Sequence, residues 1–320
     1  MLEKSLENLS GKKNLLAFSA GVDSTALFFL LLEREIDFDI AIVDYGKREN
    51  SILEVAYANS LAKQYKKTCF STKVQLEDSN FEQNARAERY KFFEAIIDKH
   101  AYENLLTAHQ LNDRLEWFLM QFTKGAGAVE LLGFEESEER ENYTLVRPLI
   151  NVSKKELLAY LEKNGIKYFE DESNKDPKFR RNRFRETYAN QLLEEFGRGI
   201  SKSFDYLQID KDRLFTLKIL KQVDKLYILE KSDDEIENLR AIDKILKKLG
   251  VIISAKQRQE ILRQGESVIG HKIAVALKED KIYIAPFKNP IMDKSFKEAC
   301  RIAKIPPNIR GYLYLKNIIL

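Results

Sequence analysis

The stretch AFSAGVDSTALFFLLL, Ala17 to Leu32, begins as an apolar strand, turns at small residues and continues as an apolar helix. A strand-to-helix turn presents backbone N–H groups at the positive end of the helix, which favours phosphate binding. Gly21 lets a phosphate approach closely because it has no Cβ, and the hydroxyls of Ser19 and Ser24 are further donors. Asp23 would repel phosphate unless Mg²⁺ lies between them. N-capping of the helix is the structural alternative for Asp23.

Strand-like and helix-like segments alternate through the first half of the chain. Strands are predicted at 12–19, 38–44, 68–74, 103–109 and 144–150, and helices at 24–35, 49–66, 83–99 and 113–122. This order predicts an α/β fold with a doubly wound parallel sheet of about five strands. Ligands bind beyond the carboxyl ends of such strands, so Ser19, Asp44 and His109 should converge on one edge.

Two later segments carry more local signals. Residues 133–142 hold five glutamates without a helical apolar stripe, so a mobile acidic loop is expected there. Residues 153–165 predict a helix that begins after Ser153, has a capping box completed by Glu156 and ends before Gly165.

Length and charge predict two domains, because single cores rarely exceed ~250 to 300 residues and this chain has 320. We place them at 1–200 and 201–320. The first has 29 basic and 34 acidic residues, the second 24 and 16. The second domain is expected to be smaller, basic and mainly helical, with a hairpin within 266–287. Five cations between Lys178 and Arg185 add to a charge pattern that suits a nucleic-acid backbone, although a solvated helix face is the alternative.

Several classes of protein are disfavoured. Cys69 and Cys300 are the only cysteines, which argues against a disulfide framework and a cysteine-based metal cluster. The longest apolar run, 26–32, is far shorter than the ~20 residues of a membrane span. We therefore expect a soluble cytoplasmic protein without a membrane partner.

The segment SAGVDS, 19–24, resembles the SGGxDS loop of the PP-loop ATP pyrophosphatases, which cleave ATP between the α- and β-phosphates. Further segments, in order, resemble the motifs of the tRNA(Ile)-lysidine synthetase family. They are VDYGKRENS (43–51), NARAERYKFF (84–93), TAHQLNDRLEWFLMQFTKGAG (107–127), VRPLI (146–150) and DESNKDPKFRRNRFR (171–185). The resemblance implies an adenine nucleotide alpha hydrolase-like fold and the cofactors ATP and Mg²⁺.

The motifs depart from the family pattern at five positions: Ala20, Tyr45, Gln110, Asn112 and Arg114. The second glycine of SGGxDS is Ala20, which the turn should accept if its φ is negative. The family's VDHGLR reads VDYGKR here, and HHxDDQxET retains only a histidine, an aspartate and the glutamate. A site that needs both histidines or both aspartates is therefore in question.

The resemblance implies site residues at the matching positions. Asp113 and Glu116, at i and i+3 on one helix face, would bind the ammonium groups of lysine, although acidic residues also favour a helix start for its dipole. The implied nucleotide-binding residues are Ser19, Ala20, Gly21, Val22, Asp23 and Ser24. The implied catalytic residues are Asp23, which would hold the metal, Asp113, Arg181 and Arg185, and the implied substrate-binding residues are His109, Asp113, Glu116, Arg86, Arg89 and Asn182.

Three of the substrate-binding positions also have a structural interpretation. His109 could be a hydrogen-bonded structural group, and Arg86 and Arg89 could be surface arginines on a helix that covers the sheet. Asp171, Ser173 and Asn174 are expected to shape the loop before Arg181.

The reaction implied by the resemblance has two steps. O2 of the wobble cytidine of a tRNA(Ile) with a CAU anticodon would attack the α-phosphate of ATP, and the side-chain amine of L-lysine would then displace AMP. Two alternatives stay open: another PP-loop tRNA-modifying enzyme, such as a thiolase, and a non-catalytic nucleotide- or RNA-binding module. The oligomeric state is also open, with a homodimer as one option.

Overall fold

The computed structural model describes residues 2–46, 50–75, 81–170 and 180–319. The chain divides into two compact units, and the boundary along the chain falls between Lys211 and Asp212. This division lies inside a long helix, Asn190–Leu214, rather than at residue 200. In the described ranges, no helix combines the length and apolarity needed to cross a bilayer.

The N-terminal unit is built on a six-stranded sheet with the order β3-β2-β1-β4-β6-β5. Leu16 of β1 lies beside Ile40 of β2 and Leu106 of β4, in parallel register. The five predicted parallel strands are confirmed, and β5 is added antiparallel to β6 at one edge. The strands are β1 Asn14–Ala17, β2 Phe38–Asp44, β3 Cys69–Lys73, β4 Asn104–Leu106, β5 Ser137–Glu139 and β6 Thr144–Val146.

Helices cover both faces of this sheet, because successive side chains of a strand point to opposite faces. Leu16 packs in one core with Phe28 and Leu31, whereas Leu15 packs in the other with Phe93 and Ile97. The helices of this unit are α1 Leu2–Glu7, α2 Val22–Glu33, α3 Asn50–Gln64, α4 Phe81–His100, α5 Leu111–Phe122, α6 Ala128–Leu131, α7 Lys154–Lys163, α8 Arg180–Phe184 and α9 Asn190–Leu214, with a π-helical turn, Arg185–Ala189, before α9.

Local sequence signals locate these helices well. The four predicted crossover helices correspond to α2, α3, α4 and α5, with ends within two residues of prediction. Ser153 caps α7 and forms the predicted capping box with Glu156. Gly165 follows α7 at a φ of +63°, a conformation that favours glycine.

The acidic segment 133–142, expected to be a loop, contains the short strand β5. Within it, β5 pairs with β6, and Arg147 at the end of β6 is almost fully buried. Its guanidinium donates to the Glu135 carbonyl at 2.8 Å and to the Glu138 carboxylate at 3.1 Å. A buried charge requires such partners, so Arg147 holds the acidic segment against the sheet.

The C-terminal unit is organised around an antiparallel sheet with the order β7-β8-β11-β10-β9. Its helices contain more residues than its strands, as expected, but the sequence predicted only one hairpin, which corresponds to β10 and β11. One face packs against α10 and α11 and the other against α12 and α13. The elements are β7 Ile219–Val223, β8 Leu226–Glu230, α10 Glu235–Lys248, α11 Ala255–Gln264, β9 Glu266–Ile269, β10 Ile273–Lys278, β11 Lys281–Pro286, α12 Lys294–Ile302 and α13 Pro307–Lys316.

Gly133 packs directly against the ring of Trp117, so we predict that Gly133→Ala destabilises the N-terminal unit. A Cβ at residue 133 would lie 1.8 Å from Trp117 Nε1. Displacing the indole should lower the free energy of unfolding by about 1 to 3 kcal/mol, as overpacking typically does. Trp117 is the single tryptophan of the chain, so urea unfolding followed by its fluorescence measures this change.

Gly199→Ala is the matched control, because a Cβ there has no neighbour within 4 Å. It should leave stability unchanged or raise it by up to about 1 kcal/mol, since alanine favours a helix over glycine. Equal unfolding midpoints for the two variants would contradict the close packing of residue 133.

Candidate active site

The parallel strands of the N-terminal unit end at a common edge, called here the carboxyl edge, where α2, α5 and α7 begin. Ser19 follows β1, Asp44 ends β2 and His109 follows β4, which are neighbouring strands. Asp44 closes a local turn, because its Oδ1 accepts from the Gly46 N–H at 2.7 Å.

The loop between β1 and α2 has its unusual backbone at Ala20. Ala20 has a φ of +60°, whereas Gly21 has a φ of −76° and caps α2. The condition of a negative φ at Ala20 is therefore not met, and the left-handed conformation costs an alanine about 1 to 2 kcal/mol. The surrounding structure holds it there: the methyl group is fully buried, and the Ala20 carbonyl accepts from the Phe169 N–H at 2.9 Å.

The polar groups of this loop are partly satisfied within it. Ser19 Oγ and Ser24 Oγ lie 3.0 Å apart, and Ser24 Oγ also donates to the Gly21 carbonyl at 3.3 Å. Two buried oxygens, Asp23 Oδ1 and Thr25 Oγ1, have no hydrogen-bond partner in the part of the chain that the structure describes. A loop with unpaired buried acceptors beside a helix N-terminus is suited to hold a ligand.

Burial is the main cause that raises the pKa of Asp23 to about 7, and the nearby Asp113 carboxylate raises it further. Lys154 and Arg185 oppose this change. The orphaned Asp23 oxygen fits a divalent cation, which would be its missing partner and favour the ionised form. The described residues contain no cluster of three or more acidic, histidine or cysteine side chains able to hold a metal. Mg²⁺ is commonly bound by one or two carboxylates together with substrate phosphates and water, so a single carboxylate at this loop fits such an ion.

The first turn of α5 explains the departures from the family motif. Gln110 caps the helix by accepting from the Asn112 N–H, and Asp113 Oδ2 accepts from the Gln110 N–H at 3.1 Å. Asn112 bridges Asn190 at 2.9 Å and the Lys154 N–H at 3.1 Å. Arg114 is buried, 2.7 Å from Asn151 Oδ1, with its guanidinium over a phenyl ring. These three side chains support the helix, and Asp113 is left facing the edge.

Two carboxylates of α5 and two arginines form a compact ionic cluster, which we call the 113–185 cluster. Arg181 binds Glu116 through Nε and Asp113 through Nη2, the latter at 3.1 Å. Arg185 Nη2 lies 2.9 Å from Glu116 and 3.5 Å from Asp113. The formal charges cancel, so both carboxylates predicted to bind an ammonium are paired with arginine.

Access to the 113–185 cluster differs among its members. The Glu116 side chain is 1% exposed and that of Asp113 12%, whereas Arg181 is 39% exposed. Arg181 therefore covers Glu116 from solvent. Burial is also the leading cause that raises the pKa of Glu116, against the effect of the two arginines. Arg185 begins the π-helical turn, an irregularity often found at functional sites.

His109 is held neutral at the same edge. Its Nδ1 lies 3.0 Å from Thr107 Oγ1, and its ring packs on Phe134 with centroids 5.2 Å apart. Burial is the main cause that lowers its pKa to about 4; Arg147, Arg181 and Arg86 contribute, and Asp113 opposes them. A neutral imidazole can form hydrogen bonds with a ligand without adding charge.

The remaining predicted substrate residues lie at different depths. Arg86 is exposed over the Tyr90 ring, 5.0 Å from its centroid, and is close enough to affect His109. Arg89 is exposed and close to Tyr45, whose hydroxyl donates to the Ala85 carbonyl. Asn182 is buried in α8. Asp171, Ser173 and Asn174 lie outside the described residues.

Sequence reasoning missed Lys154 and Phe134. Lys154 is the first residue of α7 and acts electrostatically on Asp23. The sequence could have indicated Lys154, because the helix predicted to start after Ser153 follows a strand that ends at the carboxyl edge and so begins there. Phe134 lay in the segment interpreted as a loop, so its contact with His109 had no sequence signal.

Comparisons with known proteins identify the fold and the family of the chain. The profile of the PP-loop domain matches residues 1–192. A solved structure of a U34-tRNA thiolase from Methanococcus maripaludis shares the fold, with a TM-score of 0.51 at 15% identity over 67% of this chain and 78% of that one.

Curated relatives match almost the whole chain. A tRNA(Ile)-lysidine synthase from Wolinella succinogenes is 47% identical, covering 98% of this chain and 96% of that protein. Proteins of the same name from Campylobacter jejuni and Helicobacter pylori are each 43% identical, covering 96% and 97% of this chain and 94% and 91% of their own lengths. The chain therefore belongs to the tRNA(Ile)-lysidine synthase family.

Proposed function

We propose that this protein uses ATP to join L-lysine to C2 of the wobble cytidine, position 34, of a tRNA(Ile) with a CAU anticodon. The product is lysidine, and AMP and pyrophosphate are released. The observation that carries the proposal is the position of the 113–185 cluster beside the loop 19–24: Asp113 acts electrostatically on Asp23. The proposed phosphate site and the proposed site for ammonium groups would therefore be adjacent, as a ligation of these substrates requires.

In the first step, O2 of the cytidine attacks the α-phosphate and pyrophosphate departs. The N–H groups at the start of α2 and the hydroxyls of Ser19 and Ser24 would hold the phosphates, with Ala20, Gly21 and Val22 forming the backbone of the loop. Asp23 would hold Mg²⁺, and the ion would neutralise charge that develops on the leaving group. The neutral His109 would contact the nucleotide or the cytosine without adding charge.

In the second step, the side-chain amine of lysine attacks C2 and AMP leaves. The negative charge of Asp113 and Glu116 would attract the ammonium groups of lysine. Because Arg181 and Arg185 pair with these carboxylates, lysine would compete with the arginines for them, and a phosphate that engaged an arginine would favour lysine binding. The attacking amine must lose a proton, and the raised pKa of the buried Glu116 suits that residue to accept it.

The tRNA would lie along the basic parts of the chain. The segment 201–320 has 24 basic and 16 acidic residues. Arg86, Arg89 and Asn182 lie at or near the carboxyl edge of the sheet. RNA of this kind is recognised by its shape, its phosphates and its splayed loop bases. We place the enzyme in the cytoplasm with the tRNA pool. A thiolase is disfavoured because Cys69 and Cys300 are the only cysteines, 231 positions apart.

The first test supplies the purified protein with ATP, Mg²⁺, labelled L-lysine and a tRNA(Ile) transcript bearing a CAU anticodon. We expect one label per tRNA, at the wobble nucleoside, with AMP and pyrophosphate released in equal amounts. A transcript with U in place of the wobble cytidine is the matched control and should take up no label. A folded enzyme that consumes ATP but leaves the CAU transcript unlabelled contradicts the proposed function.

The second test concerns the carboxyl of Asp23. Because its pKa is raised to about 7, protons should compete with the metal below that pH. We expect calorimetry to show that Mg²⁺·ATP affinity falls as pH drops from 8 to 6, more steeply than the nucleotide's own protonation explains. Asp23→Asn should bind more weakly at pH 8, lose tRNA adenylation and retain only the pH dependence of the nucleotide.

Asp37→Asn is the control for this test, since Asp37 precedes β2 at the opposite end of the strand and its side chain is 85% exposed. It should behave as the wild type does. Equal pH profiles for the wild type and Asp23→Asn would contradict metal binding by Asp23.

A further inference from the structure

The start of α7 brings a lysine to the loop 19–24. Helices α2 and α7 pack in one hydrophobic core, which includes Leu27 of α2 and Leu157 of α7. Both begin at the carboxyl edge, so their first turns are neighbours. Lys154 is the first residue of α7, and Asp23 is in the first turn of α2. The first turn of α7, with Lys154, and the first turn of α2, with Asp23, therefore lie at the same end of two packed helices.

The backbone around Lys154 is fixed from both sides. Its N–H donates to Asn112 Oδ1 at 3.1 Å, and the Val152 carbonyl accepts from the Leu111 N–H at 2.9 Å. The capping box of Ser153 and Glu156 fixes the turn from the α7 side. The Lys154 side chain therefore extends from a rigid backbone position, which limits the entropy lost when its ammonium binds a ligand.

The Lys154 side chain is half-buried, and no carboxylate of the described residues forms an ion pair with it. Its neighbour Lys155 differs, because it is exposed and pairs with Glu194 of α9 at 3.9 Å. The loop 19–24 has no basic side chain of its own, although a bound triphosphate would carry about four negative charges. A cation would therefore favour phosphate binding at the loop, and among the described residues Lys154 is a lysine at this edge with which no carboxylate pairs.

We propose that Lys154 is a phosphate-binding residue of this site, which holds the β- and γ-phosphates of ATP and then the departing pyrophosphate. The proposal rests on the ATP site proposed above. A lysine ammonium is a compact charge that suits phosphate oxygens, and it stabilises the charge that builds up as the bond to the α-phosphate breaks. Asp23 and Lys154 would approach the phosphates from two helix starts, one through a metal and the other directly.

The test compares two ligands that differ in the phosphates concerned. Calorimetry gives the Kd values of Mg²⁺ with α,β-methylene ATP, which is not cleaved at the reacting bond, and of AMP. Lys154→Met should weaken binding of the ATP analogue about 10- to 100-fold, the usual effect of losing a charged hydrogen bond. It should change AMP binding less than about twofold, because AMP has no β- or γ-phosphate.

Lys155→Met is the matched control and should bind both ligands as the wild type does. Lys154→Arg should recover most of the affinity for the ATP analogue, and unchanged Trp117 fluorescence verifies the fold. Equal affinities in the two methionine variants would overturn the inference. So would an equal loss for AMP and the analogue, because that loss would come from a general distortion of the site.

This result is independent of the labelling test above. A wild type that transfers no lysine to tRNA, yet loses analogue affinity only in Lys154→Met, contradicts the proposed reaction and supports the role of Lys154. If lysine is transferred to tRNA but Lys154→Met leaves the affinity for the ATP analogue unchanged, the proposed reaction is supported and the role of Lys154 is contradicted.

Discussion

The pairing of Asp113 and Glu116 with Arg181 and Arg185 is the interaction on which the candidate site depends. Glu116 is 1% exposed, and a buried charge of this kind is tolerated only when it is paired. The pairing joins α5, which begins at the carboxyl edge, to the segment of α8 and the π-helical turn, about 70 residues later in the chain. It thereby sets both the charge of the edge and the position of the arginines. A ligand that engages one side of the cluster must change the other.

Local patterns predicted most of the N-terminal fold. The buried runs of β1 and β2 and the capping box of α7 lie within a few residues of sequence, so they can be read without tertiary information. Strand β5 could not be predicted, because its acidic sequence has no apolar alternation and the charge that pairs with it, on Arg147, lies outside the segment at the end of β6. In the C-terminal unit, β7 was missed because its apolar and polar residues do not alternate along ILKQV and its side chains are mostly exposed.

The candidate residues could be predicted as a set, but their pairing could not. Asp113 and Glu116 are one helix turn apart, a spacing that the sequence gives directly. Their contact with Arg181 and Arg185 depends on how α8 returns to α5, which no local pattern encodes. The φ of Ala20 is likewise set by contacts with the distant Phe169, so an alanine occupies a conformation that glycine would adopt with less strain.

In the proposed reaction the carboxyl edge has two functions, ATP activation at loop 19–24 and lysine capture at the 113–185 cluster. Single-turnover kinetics of Glu116→Gln tests it most directly, with pyrophosphate release from ATP and tRNA measured separately from lysine-dependent AMP release. We expect pyrophosphate release to stay within a few-fold of the wild type and AMP release to slow about 100-fold, the effect of losing one charged contact at the reacting group. A parallel loss of both steps, or an unchanged AMP release, would contradict it.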